Sequence, residues 1–105
     1  MIANTPEPPY YAVIFTNVRS DGDGDAYATT AARMVELAAS QDGFLGVESA
    51  RSGLGITVSY WTILDAIAGW KANAELLEAQ RLGRERWYAA FATRIALVER
   101  DDRLP

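Results

Sequence analysis

The run DGDGD, from Asp21 to Asp25, is the stretch whose residue types come closest to a metal site. Acidic side chains at alternate positions open the loop of an EF-hand, where carboxylate oxygens bind calcium. The rest of that motif is missing, because Ala26 holds the sixth position, where glycine is needed, and Ala32 holds the twelfth, where a bidentate glutamate belongs. We therefore interpret the run as a turn whose last aspartate caps the following helix, and we predict no metal site.

Two residue types that perform much of enzyme chemistry, histidine and cysteine, are absent from the sequence. Their absence excludes disulfides, cysteine nucleophiles and thiolate metal sites. It also removes the commonest general base and the commonest protein ligand of zinc and haem iron. A general base would have to be a tyrosine, a carboxylate such as Glu48 with a pKa raised by burial, or hydroxide from solution.

Three other side chains are notable for their positions. Asn17 is a lone amide on a largely apolar face near the end of the first predicted strand, where backbone pairing could also explain it. Trp70 falls on the buried face of the second predicted helix, as a core tryptophan would. Arg94 lies mid-strand, where it could meet an anionic substrate oxygen or pair with Glu48 across a dimer, and we favour the ion pair.

The charge balance limits the partners of the chain. Its 10 basic and 14 acidic residues give a net charge of -4, which argues against nucleic acid or an anionic membrane surface. The opening MIANTPEPPY lacks the basic and apolar regions of a signal peptide, and no apolar run approaches the roughly 20 residues of a membrane span. We expect a cytoplasmic protein that does not bind membranes.

Hydrophobic periodicity predicts a single domain at 10–101, between an extended leader at 1–9 and a tail at 102–105. The predicted elements are a strand at 10–19, a helix at 26–40, a hairpin of strands at 44–51 and 56–61, a helix capped by Thr62 and ended by Gly83, and a strand at 89–100. The first helix carries one apolar stripe, and Gly69 marks a break or a close contact in the second.

This order predicts an α+β, ferredoxin-like βαββαβ fold with a four-stranded antiparallel sheet. Two helices can cover only one face of such a sheet, yet the first and last strands are apolar on both faces. Another copy of the same sheet is the simplest cover for the second face. We therefore predict a homodimer packed sheet to sheet.

Several segments resemble the antibiotic biosynthesis monooxygenase family of the dimeric α/β barrel superfamily. They are GFLGVESARS, GITVSYW, AIAGWK, EAQRLGRERWY and RIALVER. The resemblance covers residues 10–101 and is densest from Gly43 onward. It implies a homodimer whose two sheets form an α/β barrel.

The resemblance also implies oxygenation without flavin, metal or any other cofactor. The substrate would be a small quinol-like or anthrone-like aromatic, whose own carbanion reduces O2 after deprotonation. Asn17 would donate a hydrogen bond to a substrate oxygen and Trp70 would wall the cavity, which makes them the candidate catalytic residues. The candidate substrate-binding residues are Tyr27, Trp61, Leu76, Gln80, Trp87 and Arg94.

Two departures from the family pattern bear on the chemistry. Leu76 stands where close relatives commonly have a histidine, six residues after Trp70. Gln80 stands where the haem-degrading branch has its iron-ligating histidine, which argues against haem degradation. The alternative to an oxygenase is a non-catalytic dimeric module that binds a small hydrophobic ligand or only its own copy. Its interior would be filled, with Leu76 taking the room of the histidine.

Overall fold

The computed structural model describes residues 1–104 and contains one four-stranded antiparallel sheet with helices on one side. In chain order the elements are β1 (Tyr10–Arg19), α1 (Gly24–Ala39), β2 (Phe44–Ser52), β3 (Leu54–Trp61), α2 (Leu64–Lys71), α3 (Ala74–Leu82) and β4 (Tyr88–Val98), with a π-helical turn over Gly83–Trp87. The strands pair in the order β2-β3-β1-β4, so the predicted ferredoxin-like fold is confirmed.

The register of the sheet decides which side chains face the helices. Tyr11 of β1 pairs with Trp61 of β3, and Asn17 pairs with Gly55. Since side chains alternate along a strand, the odd-numbered residues of the regular strand segments face the helices. The even-numbered residues lie on the side without helices, which we call the open face.

The core lies at one end of the helix-facing side. Trp61, Ile67 and Ala38 are buried there, and Phe44 and Trp70 pack against them. The Trp61 ring meets Phe44 edge-on at 5.5 Å between centroids and stacks on Trp70 at 6.2 Å. These contacts pack the last turn of α1, and α2 through Ile67 and Trp70, against the sheet.

The first helix differs from its prediction at its start and along its stripe. It begins at Gly24 after Asp23, which is left-handed with φ of 52° and makes no side-chain cap, so the predicted cap by Asp25 is wrong. Only Ala38 of the apolar stripe is fully buried, and Val35 is 44 % exposed. The helix therefore touches the core through its last turn and β4 through Tyr27 in its first turn.

The second predicted helix is two helices. The break lies at Ala72 and Asn73 and not at Gly69, which sits inside α2 with open space around it. Asn73 caps α3 because its Oδ1 accepts hydrogen bonds from the backbone N–H groups of Glu75 (2.9 Å) and Leu76 (3.3 Å). The predicted cap of the first part, Thr62, instead donates its backbone N–H to the Gly43 carbonyl at 2.9 Å.

The α-helix α3 ends at Leu82, so the end predicted at Gly83 is confirmed in position, but Gly83 is not a left-handed cap. Its φ of −59° is helical, and the chain continues through the π-helical turn into β4. A side chain at Gly83 would lie 2.9 Å from the ring of Tyr88. The glycine therefore serves close packing against Tyr88 and no left-handed cap.

The leader and the tail meet at one end of the open face. The Ala3 backbone N–H donates to Glu48 Oε2 at 2.8 Å, and the Tyr60 hydroxyl donates to Glu48 Oε1 at 2.6 Å. Arg103 of the tail donates to the Ala3 carbonyl at 3.2 Å. The leader is therefore hydrogen-bonded to β2, and Arg103 is hydrogen-bonded to the leader. Within residues 1–104 no helix is long and apolar enough to cross a bilayer.

Candidate functional site

A cavity of about 850 Å³ lies between the helices and the helix-facing side of the sheet. Its walls come from α1, α2, α3, the π-helical turn and the strands. It exists because α1 meets the rest of the domain closely at its two ends, through Tyr27 and Ala38, while Val35 between them is exposed. The volume falls in the range of small-molecule sites. The filled interior expected for a packed module is therefore not observed, although a binding module and an enzyme both remain compatible with this cavity.

One end of this cavity is walled by a cluster of aromatic rings. Tyr27 meets Trp87 and Tyr88 edge-on, each at 5.7 Å between centroids. Phe15 lies 5.2 Å from Tyr88 and 5.7 Å from Phe91. At the other end the wall is Trp70, supported from behind by the buried Trp61. A flat aromatic ligand would have rings to pack on at both ends.

A polar rung crosses the sheet beside the aromatic cluster. Arg51 of β2 and Asn17 of β1 both pair with Gly55 of β3, and all three are odd-numbered. The Arg51 side chain passes over Gly55, and Nη2 donates a hydrogen bond to Asn17 Oδ1. The same Nη2 lies 3.5 Å from the Tyr27 hydroxyl oxygen. We call Arg51, Gly55 and Asn17 the arginine rung.

Glycine is required in the middle of this rung. A methyl group at Gly55 would overlap the guanidinium of Arg51. Asn17 is only 2 % exposed, and its amide oxygen must face Arg51 because a guanidinium has donors and no acceptor. The rung thus fixes the position of an arginine whose side chain lines the cavity.

The charge of the cavity is opposite to that of the whole chain. Arg51, Lys71 and Arg84 line it, and no carboxylate from the part of the chain described, residues 1–104, does. The full sequence has more acidic than basic residues, 14 against 10. None of these three cations forms an ion pair within residues 1–104. An anionic ligand would therefore meet attraction and little repulsion.

Tyr88 is a hydrogen-bond donor at neutral pH. Burial raises the pKa of Tyr88 well above its usual value of 10, and its hydrogen bond to Tyr27 raises that pKa further. The Tyr88 hydroxyl donates to the Tyr27 oxygen at 3.2 Å. Tyr88 therefore remains protonated and cannot serve as the general base near neutral pH.

The structure distributes the predicted site residues over four places, the last of which is the open face, where Arg94 lies. Those that line the cavity are Tyr27, Trp70, Leu76, Gln80 and Trp87. Asn17 lies beside the cavity, hydrogen-bonded to Arg51. Trp61 is fully buried in the core behind Trp70, so it supports the wall without lining it.

The predicted role of Arg94 in binding substrate does not fit the register. Arg94 pairs with Ile14 on the open face, which puts the thickness of the sheet between Arg94 and the cavity. Glu48 lies on the same open face. The predicted ion pair of Arg94 with Glu48 joins two copies of the chain and stays a prediction, and within one copy the two residues form no ion pair among residues 1–104.

Glu48 also lacks the raised pKa that a base would need. The hydrogen bond from the Tyr60 hydroxyl, and after it the backbone N–H of Ala3, hold the pKa of Glu48 below its usual value. The same hydrogen bond adds to the effect of burial, which is the main reason that the pKa of Tyr60 is raised to about 12. Glu48 is therefore a charged structural acceptor on the open face.

Sequence reasoning missed Arg51, although a signal was present. A tight turn at Gly53 pairs Ser52 with Leu54, and the next pair outward is Arg51 with Gly55. An arginine opposite a glycine has a free path across the neighbouring strand. Which strand lies beyond Gly55 follows only from the sheet order.

Comparison with known proteins gives the family of the chain. It is 54 % identical over 101 residues to YqjZ of Bacillus subtilis (strain 168), an uncharacterized protein, and the match covers 94 % of this chain and 88 % of YqjZ. The chain belongs to the YqjZ family. No protein-family model matches the chain.

Solved structures connect the YqjZ family to a known fold. A protein of Shewanella oneidensis superposes with a TM-score of 0.77 at 10 % identity, over 89 % of this chain and 94 % of that one. A protein of Nitrosomonas europaea, described as a candidate antibiotic biosynthesis monooxygenase, has a TM-score of 0.71 at 14 % identity, over 82 % and 95 %. The resemblance to antibiotic biosynthesis monooxygenases is thereby confirmed for the fold, which does not itself specify a reaction.

Proposed function

We propose that this chain is a cofactor-independent monooxygenase that oxidises a small quinol-like or anthrone-like aromatic with O2. The observation that carries the proposal is the cavity of about 850 Å³, with aromatic rings at both ends and a cationic lining. Such a cavity suits a flat aromatic that carries negative charge as it reacts. The fold shared with proteins described as antibiotic biosynthesis monooxygenases supports the same reaction class.

With an anthrone-like substrate, the proposed reaction replaces a CH2 group of the ring system by a carbonyl. Loss of a proton gives a carbanion whose charge is delocalised onto the substrate oxygen. The carbanion reduces O2 and forms a carbon–oxygen bond, and the resulting hydroperoxide loses water. One atom of O2 enters the product and the other leaves as water, so the substrate supplies every electron.

In this proposal the protein binds and orients the aromatic substrate and stabilises the negative charge that develops on it. Trp70 and the aromatic cluster hold the rings, and Arg51 stabilises the developing oxyanion in a site from which substrate excludes water. Asn17 positions Arg51 and so acts through it. The lining supplies no carboxylate from residues 1–104 as a base, so the proposed substrate loses its proton through its own acidity.

Oxygen uptake tests this proposal. Purified protein is incubated in air with anthrones and reduced quinones, and autoxidation is subtracted. We expect uptake that rises with protein concentration and saturates with substrate. Trp70→Phe and Asn17→Ala should each lower kcat/KM by about tenfold or more, equivalent to about 1.4 kcal/mol in the barrier. Arg81→Ala, on the exposed side of α3 and outside the cavity lining, is the control and should keep the wild-type rate.

Two results would contradict the oxygenase. One is saturable binding of these aromatics with no uptake above autoxidation, which favours the hydrophobic-ligand-binding module. The other is uptake that Trp70→Phe and Asn17→Ala leave unchanged, which places the reaction outside this cavity. Isotopically labelled O2 supplies a second readout with the anthrones, since one labelled atom is expected in each molecule of their carbonyl product.

We also propose that the chain forms a homodimer through its open face. Large apolar side chains are exposed on that face, among them Leu54 at 49 % and Val18 at 42 %. They lie beyond the end of the face that the leader and the tail occupy. Contiguous apolar surface of this kind is typical of an interface, and a second copy supplies a self-complementary partner.

Sedimentation equilibrium tests the dimer with two leucines of matched exposure. Leu54→Glu, on the open face, should raise the dimer dissociation constant by about tenfold or more because it buries an unpaired charge. Leu77→Glu is the control, since Leu77 is 51 % exposed but lies on α3. A monomeric wild-type protein, or equal effects of the two substitutions, would contradict this interface.

A further inference from the structure

We propose that the arginine rung is an oxyanion-binding site, and that the cavity takes an acidic phenol or enol as its anion. The inference deepens the proposed function, because it names the ionisation state of the substrate and the residue that selects it. It rests on the same cavity but not on the oxygen chemistry. An experiment can therefore contradict the oxyanion site without contradicting the oxygenase, and the reverse.

The first support is the way in which Arg51 is held. Its hydrogen-bond partners are the amide oxygen of Asn17 and the hydroxyl of Tyr27. It forms no ion pair within residues 1–104. A guanidinium has five N–H donors, and Nη2 makes both of these contacts. Donors and the full positive charge thus remain for a ligand. Arg51 is itself an exposed residue, so water screens its charge until a ligand displaces that water.

The second support is that two positions of the sheet, Gly55 and Asn17, accommodate the Arg51 side chain. Gly55 leaves the space through which the arginine crosses β3, and any larger residue would block it. Asn17, on the far side, is a buried amide whose oxygen receives the guanidinium. A surface arginine that only solubilises the protein needs neither feature. The rung resembles instead the fixed donors that stabilise developing negative charge in enzymes.

The third support is the charge of everything that faces the rung. Tyr27 of α1 and Tyr88 of β4 are phenols, and burial raises the pKa of Tyr88, which keeps it neutral. Arg19 of β1 lies over the Tyr27 ring, with Cζ 3.6 Å from its centroid. Arg84 of the π-helical turn lines the cavity, with Cζ 5.9 Å from the Phe91 ring centroid. Two of these groups are guanidinium cations and none is a carboxylate, so they favour the ionised form of a bound phenol.

Two probes that differ only in an acidic hydroxyl test the site. The acid is 4-nitro-1-naphthol, whose colour reports its ionisation, and the neutral control is 1-nitronaphthalene. With wild-type protein we expect saturable binding of the naphtholate and a bound-state pKa about one unit below that of the free probe, which is about a tenfold preference for the anion. Arg51→Met should weaken naphtholate binding about tenfold or more and remove the pKa shift, while 1-nitronaphthalene binding changes less than about twofold.

Two further variants separate the effect of the positive charge at Arg51 from the effect of where its side chain is held. Arg51→Lys keeps the charge without the planar fork and should retain part of the anion preference. Gly55→Ala keeps Arg51 but blocks its path, and should lose the anion preference nearly as fully as Arg51→Met. Circular dichroism checks folding, and Arg51→Lys still tests the site if Arg51→Met does not fold.

Three outcomes would overturn the oxyanion site. They are no saturable naphtholate binding to the wild-type protein, an unshifted pKa of the bound probe, and equal weakening of both probes by Arg51→Met, which would mean a structural role. The oxygenase proposal fails on different evidence. If the anion preference holds and no aromatic supports oxygen uptake, the site stands as that of a binding protein.

Discussion

Replacing Trp61 by alanine should lower the free energy of unfolding by about 3–5 kcal/mol, as large-to-small changes at buried tryptophans do. Trp61 has no exposed surface, and its ring packs between Phe44 and Trp70. Its indole N–H donates to Ser59 Oγ at 2.9 Å. Alanine would leave a cavity against the sheet and a hydroxyl without its partner. A loss of this size is a large share of the stability of a small domain.

Urea unfolding at fixed protein concentration measures this loss, since association would make stability depend on concentration. Trp70→Ala is the matched control, because it removes the same side chain from a partly exposed position on the cavity wall. We expect a smaller loss there, since water already reaches part of the ring. If Trp70→Ala destabilised the protein as much as Trp61→Ala, the core would not be centred where we place it.

Replacing Gly43 by alanine should destabilise the fold by about 2–4 kcal/mol, the sum of backbone strain and overpacking. Gly43 has φ of +83°, a conformation that other residues adopt at a cost. Its new Cβ would also lie 2.5 Å from Cβ of Ala66 and 2.8 Å from Oγ1 of Thr62. Because Cβ of Ala66 cannot rotate away, α2 would have to move from the sheet.

Gly53 provides the control for the backbone part of that effect. Its φ of +78° is nearly the same, but a Cβ there would meet nothing within 4 Å. Gly53→Ala should therefore cost only the conformational part, about 1–2 kcal/mol. Thermal or urea unfolding of both variants measures the difference. Equal losses would mean that α2 yields freely at Ala66, and the tight junction between β2 and α2 would be disproved.

The order of elements could be predicted because it follows from local patterns. Alternating or continuous apolar runs identified the four strands, and the strand–helix–strand–strand–helix–strand order was enough for the fold class. The boundaries were less accurate where a residue had a second role. Glycine is typical of a helix end, and α3 does end before Gly83. The chain then continues as a π-helical turn, in which Gly83 packs against Tyr88.

The candidate site was only partly predictable. The family resemblance, and not helical spacing, gave Trp70, Leu76 and Gln80 as site residues, and the structure has all three on the cavity wall. The spacing could not show that Trp61 lies behind that wall, because depth depends on how α2 packs. The substrate-binding option for Arg94 could not be judged from the sequence, because strand parity relative to the helices is set by the sheet and not by the strand alone.

The sequence by itself determined the four strands, the absence of histidine and cysteine chemistry, and the aromatic character of the interior. Those properties belong to residue types and to short-range periodicity. The tertiary structure alone decided the cavity, the cationic lining and the arginine rung. The rung joins residues 17, 51 and 55 from three strands, and only the sheet order and register bring such distant positions side by side.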